Sequence, residues 1–381
     1  MNTAFDVIIV GAGPAGSACA LALDGKGLNV ALIDKATFPR DKVCGDAIPG
    51  QSFKAMRHIK PEWELQLRAM CEQTQIFSSR LYLSPQKSFC YQWISYAANS
   101  KRFYFDDFLF RLVKDQTNTK IFQNKQVNKL SIHRDSVTCI LEDGAALSAS
   151  IIAGCDGNHS VVKRSCLPPQ KRDTVYAAVR AYYKGVSGIT AGENEFHIIK
   201  EVDGYFWIFP LPDGYCNIGF GVINDKSKKS GSQKDIRQKL AQILASERFR
   251  ARFENAQAEG EIKGFGLPLW TKDRRISGER FILAGDAASL VDPIQGHGID
   301  KAIWSGVIAA NQIQRCFQHD NFQSDFMTGY EDEINQKFGR ELRRSYCLMK
   351  FLATNPFILK WLIYLTPPQR VINWAVKKLK I

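Results

Sequence analysis

The strongest constraint on the fold is a glycine-rich stretch near the N-terminus, within residues 6–34. It opens with an uninterrupted apolar run at residues 7–10 (VIIV), which is typical of a strand buried on both faces of a parallel sheet. Gly11, Gly13 and Gly16 follow directly. In such a pattern the first glycine permits a tight turn, the second lets the backbone approach a pyrophosphate, and the third lets a helix pack closely on the strand.

The residues after the glycines complete the pattern. From Pro14 onward the chain is rich in alanine and other small residues, which favours a helix whose N-terminus can bind phosphate. A second strand, residues 29–33, ends in Asp34, about 20 residues beyond the glycines, where a carboxylate accepts hydrogen bonds from a ribose. Strand, glycines, helix, second strand and acid together predict a dinucleotide site.

Composition limits the protein class. The 381 residues suffice for two or three domains, and the apolar share of 45% with 23% charged residues is ordinary for a globular protein. No basic segment precedes an apolar run at Met1, so no secretory signal is visible, and the apolar runs are too short for a spanning helix. Ten cysteines without a C-x-x-C pair argue against a metal site or a disulfide framework. We therefore expect a protein of the reducing cytoplasm.

The net charge of +13 is concentrated at the C-terminal end. Residues 337–381 contain ten basic residues and one acid, interspersed with aromatic and aliphatic side chains such as Phe357, Trp361 and Trp374. This mixture suits a helix lying in an anionic membrane interface. It suits equally a helical cap on the core with solvated lysines. Nucleic-acid binding is disfavoured against both.

A loop at residues 39–46 (PRDKVCGD) carries a second signature. It is dense in turn formers and charge, and it resembles a loop of the geranylgeranyl reductase family, whose pattern is a basic residue, then Cys-Gly and an acid. In that family the cysteine lies beside the flavin ring on the substrate side. The resemblance implies this place for Cys44, whereas the alternative is a small half-buried residue at a turn.

The segment 204–210 (GYFWIFP) is the most specific in the chain. Strand alternation places Tyr205, Trp207 and Phe209 on one face and the two residues between them on the other. An aromatic strip of this kind is usually core. It resembles, however, the Tyr-x-Trp-x-Phe-Pro motif of geranylgeranyl reductases, in which the tyrosine and tryptophan line a cavity for an isoprenoid chain beside the flavin. Gly219 and Gly221 are expected to leave room for that chain.

Two further motifs resemble the wider superfamily of flavin hydroxylases and reductases. Arg102 begins an Arg-x-x-Phe-Asp-x-x-Leu helix start, whose arginine reaches the cofactor phosphates in that superfamily. Asp156 and Gly157 end a segment that resembles the superfamily's Ala-Asp-Gly segment, whose acid helps fix the flavin and the nicotinamide donor. Cys155 stands where alanine is usual, and Lys163 stands where an arginine is expected.

The last cofactor motif is a strand ending in Gly285 and Asp286, followed by the loop 292–299 (DPIQGHGI). In the superfamily the Gly-Asp acid holds the ribityl chain and the loop wraps the pyrimidine edge of the ring, so the resemblance implies that the dinucleotide is FAD. His297 replaces the family's usual glutamate. A histidine there could donate a proton, or it could be a neutral, hydrogen-bonded side chain at a helix start.

Five motifs occur in the expected order up to about Lys301, and together they imply the set of cofactor contacts. These are Gly11, Gly13, Ala15, Gly16, Asp34, Lys35, Arg40, Cys44, Gly45, Asp46, Arg102, Val127, Asp156, Gly157, Gly285, Asp286, Pro293, Gly296, Gly298 and Ile299. The catalytic candidates are Cys44, Tyr205, Trp207 and His297.

The predicted fold class is α/β, with a Rossmann-type FAD-binding domain and an inserted, mainly antiparallel substrate domain. The insertion is inferred because β runs follow one another between residues 174 and 269 without intervening helices. The predicted FAD-binding domain comprises 1–75, 101–170 and 276–330, and the substrate domain comprises 76–100 and 171–275. A helical C-terminal region covers 331–381.

The resemblance implies an FAD-dependent oxidoreductase. Flavin reduced by NAD(P)H or another donor would pass a hydride to a carbon–carbon double bond of a prenyl-type or other hydrophobic substrate, and the basic tail would contact the membrane that holds it, at its inner face. The alternative is an FAD-dependent monooxygenase, a hydroxylase or in second place a halogenase, using NAD(P)H and oxygen on an aromatic or polyketide substrate. A third class, an electron-transfer flavoprotein serving quinone, lacks the cysteine cluster of an iron–sulfur centre.

Overall fold

The computed structural model describes residues 3–168, 175–199, 204–222, 233–271 and 274–355. Within them the chain forms two eight-stranded sheets joined by helices. The fold class predicted from the sequence is confirmed: one sheet is built on parallel strands and the other is mainly antiparallel.

The first sheet has the strand order β15-β16-β9-β1-β2-β6, with the hairpin partners β7 and β8 attached to β9. The strands from β16 to β6 run parallel to their neighbours, and the remaining pairings are antiparallel. Their bounds are β1 Thr3–Val10, β2 Val30–Ile33, β6 Lys120–Phe122, β7 Val127–Ile132, β8 Val137–Leu141, β9 Ala146–Gly154, β15 Ser277–Gly278 and β16 Phe281–Leu283.

Helix α1 (Pro14–Leu23) begins directly after the glycine turn and packs against α8 (Ile299–Gln318). The small residues that the sequence places on α1 make this approach possible. A Cβ added at Gly306 on α8 would lie 2.2 Å from the carbonyl oxygen of Ala15, so only glycine permits the two helices to come this close. The crossing brings the start of α8, which follows the 292–298 loop, next to the glycine turn.

The second sheet has the order β14-β10-β13-β12-β11-β4-β5-β3, and all its pairings are antiparallel except β11 with β4. Its strands are β3 Ala47–Ile48, β4 Thr74–Ser84, β5 Lys87–Asn99, β10 Val175–Lys184, β11 Glu193–Ile199, β12 Gly204–Pro210, β13 Tyr215–Val222 and β14 Gln257–Pro268. Because β3 pairs with β5, the segment just after Cys44 joins this sheet.

The two faces of β12 have different surroundings, as strand alternation predicts. Phe206 and Ile208 belong to a buried cluster between the sheet and helix α6 (Gln233–Ala245). Tyr205, Trp207 and Phe209 line a cavity on the opposite face. The aromatic strip is therefore divided between core and cavity.

The remaining helices surround this frame. They are α2 Gly50–Ile59, α3 Pro61–Arg68, α4 Arg102–Gln116, α5 Val161–Cys166, α7 Arg250–Phe253, α9 Ser324–Ile334 and α10 Arg340–Thr354. The predicted helical C-terminal region is helical as far as α10. The basic, aromatic tail from residue 356 to 381 lies outside the described residues. None of the helices in the described ranges is long and apolar enough to cross a membrane.

Candidate active site

A cavity of about 2030 Å³ lies between the two sheets. Its walls include the glycine turn and the 294–299 loop on one side and β12 with β4, β5 and β11 on the other. Pockets for a single small ligand usually measure about 300 to 1,000 Å³. The cavity is therefore large enough for a dinucleotide together with a second molecule.

The glycine turn is a backbone cradle. Gly11 has φ +98°, and a Cβ there would lie 2.4 Å from the carbonyl oxygen of Cys155. A Cβ at Gly16 would lie 1.8 Å from the carbonyl oxygen of Gly11. At Gly13 the nearest atom is Nη2 of Arg40 at 3.6 Å, so its cavity side is open. The first and third glycines thus serve the turn and its packing, and the second leaves space facing the cavity.

Asp34 lies at the end of β2 and lines the same cavity. Its carboxylate accepts hydrogen bonds from the N–H groups of Ala12 (2.7 Å) and Ala36 (2.8 Å), which fix its position beside the turn. The first turn of α1 contains no acidic residue, so the N-terminus of that helix is free to attract an anion. A phosphate and a ribose can therefore be bound side by side here.

Asp156 presents an incompletely satisfied carboxylate. One oxygen, Oδ2, accepts the N–H groups of Val161 (2.6 Å) and Val162 (3.3 Å). The other, Oδ1, is buried and has no hydrogen-bond partner within the described part of the chain. Burial raises the pKa of this carboxyl. Since a buried acceptor without a donor is costly, and the residue lines the cavity, this atom fits a donor on a ligand.

The 292–298 loop is held by Asp292, whose Oδ1 accepts the N–H groups of Ile294 and Gln295, both at 2.8 Å. Its Oδ2 accepts the hydroxyl of Ser345 at 2.7 Å. Next to this loop, Lys42 donates to Asp286 at 3.0 Å, and the N–H of Gly285 donates to Ser305 at 2.9 Å. Side chains thus hold the Gly-Asp turn and the loop in place.

His297 lines the cavity, and its Nε2 lies 3.1 Å from Nζ of buried Lys301. Burial alone would lower the pKa of Lys301, but the carboxylates of Asp300 and Glu341 outweigh it and raise that pKa. An ammonium can only donate, so Nε2 of His297 accepts from it. Any proton that His297 offers to a ligand would therefore be on Nδ1.

Most of the residues proposed from the sequence meet at this one cavity. Its lining includes Gly11, Gly13, Ala15, Asp34, Lys35, Arg40, Cys44, Gly45, Arg102, Val127, Asp156, Gly157, Tyr205, Trp207, Gly285, Asp286, Gly296, His297, Gly298 and Ile299. Gly16, Asp46 and Pro293 are not among the lining residues. Gly16 packs against the glycine turn, and Pro293 is buried in the loop.

Asp46 occupies a different place from the predicted cofactor contact. Its side chain is fully buried and turned toward the second sheet, where Oδ2 accepts the hydroxyl of Tyr182 (2.7 Å) and Nδ2 of Asn217 (2.8 Å). Burial raises the pKa of Asp46 to about 6, although these hydrogen bonds partly offset it. The acid that ends the loop signature therefore ties the loop to the sheet.

Arg102 lines the cavity and is paired with a carboxylate inside the protein. Its guanidinium is buried and binds both carboxylate oxygens of Asp106, at 2.5 and 2.8 Å, while Arg40 binds Asp106 at 2.9 Å. Burial would raise the pKa of Asp106, but the two arginines lower it instead. Of this pair of arginines, Arg40 is the more exposed, and it faces Gly13.

The aromatic wall of the cavity, formed by Tyr205, Trp207 and Phe209, contradicts one expectation. A Cβ at Gly219 would lie 1.9 Å from Cζ2 of Trp207, so the indole fills the space over this glycine. The prediction that Gly219 leaves room for a substrate chain is wrong, because the glycine makes room for the tryptophan. Two glycines from neighbouring loops also contact this wall. Gly45 lies against Phe209, and Gly296 lies against the hydroxyl of Tyr205.

The thiol of Cys44 and the phenol of Tyr205 are both protonated at neutral pH. Burial raises the pKa of the Cys44 thiol, and the nearby Arg102 only partly offsets this. Burial raises the pKa of Tyr205 to about 12. Each side chain lines the cavity and can therefore present a proton to a ligand there.

Asn217 and Tyr182 were not recognised from the sequence. Asn217 lies in β13 between apolar neighbours and is fully buried, where it accepts the indole N–H of Trp207 at 2.9 Å. Asparagine is disfavoured in strand interiors, so its presence there is a signal that a side-chain hydrogen bond is needed. Tyr182, in contrast, fits a half-buried strand and gives no such signal.

Comparison with known proteins agrees with this geometry. Residues 4–318 match the family described as FAD binding domain. The chain belongs to this family. It is an FAD-dependent oxidoreductase, and the glycine cradle, Asp34 and the unpaired oxygen of Asp156 fit the FAD that the family binds.

Two relatives are reductases by name. A menaquinone reductase of Mycobacterium tuberculosis is 29% identical over 321 residues, covering 81% of this chain and 76% of the relative. A digeranylgeranylglycerophospholipid reductase 2 of Methanopyrus kandleri is 28% identical over 355 residues, covering 89% of this chain and 84% of the relative.

Solved structures share the fold. A geranylgeranyl bacteriochlorophyll reductase-like protein of Thermoplasma acidophilum has a TM-score of 0.82 at 19% identity, covering 100% of this chain and 92% of its own. The flavin-dependent halogenase CmlS has a TM-score of 0.73 at 19% identity, with 90% and 63% covered. At these identities the likeness extends to the fold alone.

Proposed function

We propose that this protein reduces carbon–carbon double bonds of a prenyl-type lipid. The observation behind this proposal is that the dinucleotide cradle, Cys44 and the aromatic face of β12 line one cavity. The relatives support it, since their names refer to the reduction of a menaquinone and of a digeranylgeranyl lipid.

FAD, held by the glycine turn, Asp34 and Asp156 and supported by the 292–298 loop, would supply a hydride once it has been reduced. We propose NAD(P)H as the electron donor. The chain's own residues would supply the rest: Cys44 holds a proton at Sγ and Tyr205 holds one at Oη, both within the cavity wall. His297, whose Nε2 is engaged by Lys301, can offer Nδ1. A solvent isotope effect that disappears in one of Cys44→Ala, Tyr205→Phe or His297→Gln would identify the proton donor.

The substrate would be bound by apolar contact. Beyond the aromatic face of β12, the cavity is lined by aliphatic and aromatic side chains of β4, β5 and β11, namely Ile76, Leu81, Tyr91, Trp93, Phe196 and Ile198. An isolated alkene offers no charge to bind, so its orientation and the exclusion of water must account for much of the rate. The apolar side chains of these strands provide a surface against which the alkene can be oriented.

The test is anaerobic. The holoenzyme is reduced with dithionite and mixed with unsaturated prenyl diphosphates and prenyl lipids, while flavin reoxidation and product mass are followed. The proposal expects reoxidation in step with a gain of two hydrogens in the lipid. If the flavin stays reduced with every lipid and is reoxidised only by oxygen, with hydroxylation or halogenation of an aromatic substrate, the monooxygenase alternative replaces it.

We further propose that the enzyme is cytoplasmic and contacts the inner face of the membrane through its C-terminal region. In the described part of that region, helix α10 carries Arg340, Arg343, Arg344 and Lys350, and its side chains Leu348 and Phe351 are 46% and 49% exposed. Basic and apolar groups on one exposed helix suit an anionic bilayer surface. Sedimentation with vesicles containing anionic lipid should be reduced by Arg343→Glu with Arg344→Glu, and equal binding to neutral vesicles would contradict the proposal.

A further inference from the structure

Asn217 lies at the point where the aromatic strand meets the Cys44 loop. We propose that Asn217 is a positioning residue that fixes both the indole of Trp207 and the loop 44–46, and thereby sets the orientation in which a double bond is held. The last part of this inference rests on the proposed prenyl reduction. The geometric part concerns the cavity wall and can be tested without it.

The register of the second sheet places these groups in two adjacent rows. Across β10, β13 and β12, Tyr182, Asn217 and Phe209 are paired in one row. In the next row on the same face, Gly219 is paired with Trp207. Residues two apart on a strand point to the same side, and paired residues share a face. Asn217 and Gly219 are therefore neighbours on the face toward the cavity. The loop 44–46 covers the first row.

The side-chain amide of Asn217 binds three groups. Its Oδ1 accepts the indole N–H of Trp207 at 2.9 Å. Its Nδ2 donates to the carbonyl oxygen of Cys44 and to Oδ2 of Asp46, each at 2.8 Å. Because Asn217 is fully buried, water cannot replace these contacts when one is lost.

The partners determine which way the amide points. An indole N–H can only donate, and a main-chain carbonyl can only accept. Rotating the amide by 180° would set donor against donor and acceptor against acceptor. Few other side chains could replace asparagine here, since aspartate lacks the donor, leucine lacks both groups, and glutamine is one methylene longer.

Gly219 completes the arrangement. The indole of Trp207 lies in the space that a Cβ at Gly219 would fill, so glycine provides the room and Asn217 provides the hydrogen-bond acceptor two residues earlier. Together they determine the position and the tilt of the ring. Without the acceptor, the ring keeps its space but loses its fixed orientation, and the loop loses a bond to the sheet.

The first experiment measures the wall itself in Asn217→Ala. Peptide-resolved alkylation by a maleimide should become faster at Cys44, with the exposed thiols of Cys71 and Cys347 as internal references. The tryptophan emission spectrum should change, and Trp207→Phe should remove that change. The control is Gln312→Ala, which deletes a buried amide that binds Arg315 and the carbonyl of Phe326, away from the cavity. Unchanged Cys44 alkylation and an unchanged spectrum would overturn the proposal.

The second experiment measures the reaction. Since misorientation of reacting groups costs about 10- to 100-fold in rate, the single-turnover rate with a prenyl lipid should fall by about that factor in Asn217→Ala while substrate affinity changes less. The loss should be smaller when Trp207→Phe is already present, because the two residues then act through one contact. Fully additive losses would contradict a shared role.

Two more variants keep the inference testable if Asn217→Ala fails to fold. Trp207→Phe removes the indole N–H together with the five-membered ring that carries it, and should reproduce the rate loss without faster Cys44 alkylation, because the amide still holds the loop. Gly219→Ala should displace the ring and change the spectrum in the same sense. If no prenyl lipid is reduced by the unmodified enzyme, the proposed function fails, but the alkylation and emission results still decide the role of Asn217.

Discussion

The cofactor cradle and the aromatic wall face the same cavity but are built in different ways. In the cradle, main-chain atoms make the critical contacts: Gly11 lies against the carbonyl of Cys155, and Gly16 lies against the carbonyl of Gly11. In the wall, side chains make them: Trp207 is held by Asn217, and Asp46 is held by Tyr182 and Asn217.

This difference decides what can be read from the sequence. A site where backbones nearly touch accepts only glycine, so the requirement appears as glycines at fixed spacing. A site made by side chains needs only complementary groups, and these can be far apart in the chain, as Asp46 and Asn217 are at 171 positions from each other. The cradle therefore has a local signature and the wall has none.

Two alanine substitutions in the glycine cradle should differ most in their effects on folding. Gly16→Ala places a Cβ 1.8 Å from a carbonyl oxygen, which neither backbone can avoid, so we expect loss of stable protein or of bound FAD. Gly13→Ala meets only Arg40 at 3.6 Å, so the protein should fold normally. It should nevertheless bind FAD more weakly, because the methyl group would occupy the space left for the cofactor.

The measurement is thermal unfolding of the apoprotein together with an FAD titration. Gly264→Ala serves as the control, because this glycine has no positive φ and its added Cβ would lie 3.5 Å from Cγ1 of Val179, an ordinary contact. If Gly13→Ala proved as unstable as Gly16→Ala, the separate roles of the two glycines would be refuted.

The sequence predicted the fold well where period and glycine spacing decide it. Alternation in 204–210 correctly placed Trp207 and Phe206 on opposite faces of the strand. The change from βαβ units to consecutive strands correctly indicated a second, mainly antiparallel sheet. The sequence did not reveal which residues hold a buried side chain when those residues are far away in the chain. Asp46 points to Tyr182 and Asn217, which lie far from it in the sequence, so the pattern of the loop alone does not reveal these partners.

Substitutions on the two faces of β12 should have different effects. Trp207→Ala should lower the rate of the proposed prenyl reduction by about 10- to 100-fold while FAD stays bound, since we propose that this ring orients the substrate. Phe206→Ala should instead destabilise the fold by about 3 to 5 kcal/mol, because the ring is fully buried and packs against Phe249 at 4.8 Å. Urea unfolding and single-turnover rates separate the two effects. Equal rate losses in both variants would show that the faces do not divide these roles.

The third effect is a loss of stability with rising pH, caused by the buried carboxyl of Asp46 behind the aromatic wall. Burial raises the pKa of Asp46 to about 6, whereas an unfolded aspartate titrates near 4. The folded state therefore binds this proton more tightly, so the stability contributed by Asp46 is present at low pH and is lost as pH rises from about 4 to about 6. At about 1.4 kcal/mol per pKa unit, the loss amounts to about 3 kcal/mol.

Replacing this carboxyl by an amide removes the titration. The free energy of unfolding of the unmodified protein, minus that of Asp46→Asn, should fall across this pH interval and level off above it, as measured by urea unfolding at a series of pH values. Asp135→Asn, at an exposed carboxyl, controls for the removal of a charge. A flat difference would mean that Asp46 ties the loop to the sheet without an electrostatic penalty. A falling difference would mean that burying the Asp46 carboxylate, which holds the loop to the sheet, lowers the stability of the protein. The glycine cradle has no such cost, because its close contacts are between main-chain atoms that do not titrate.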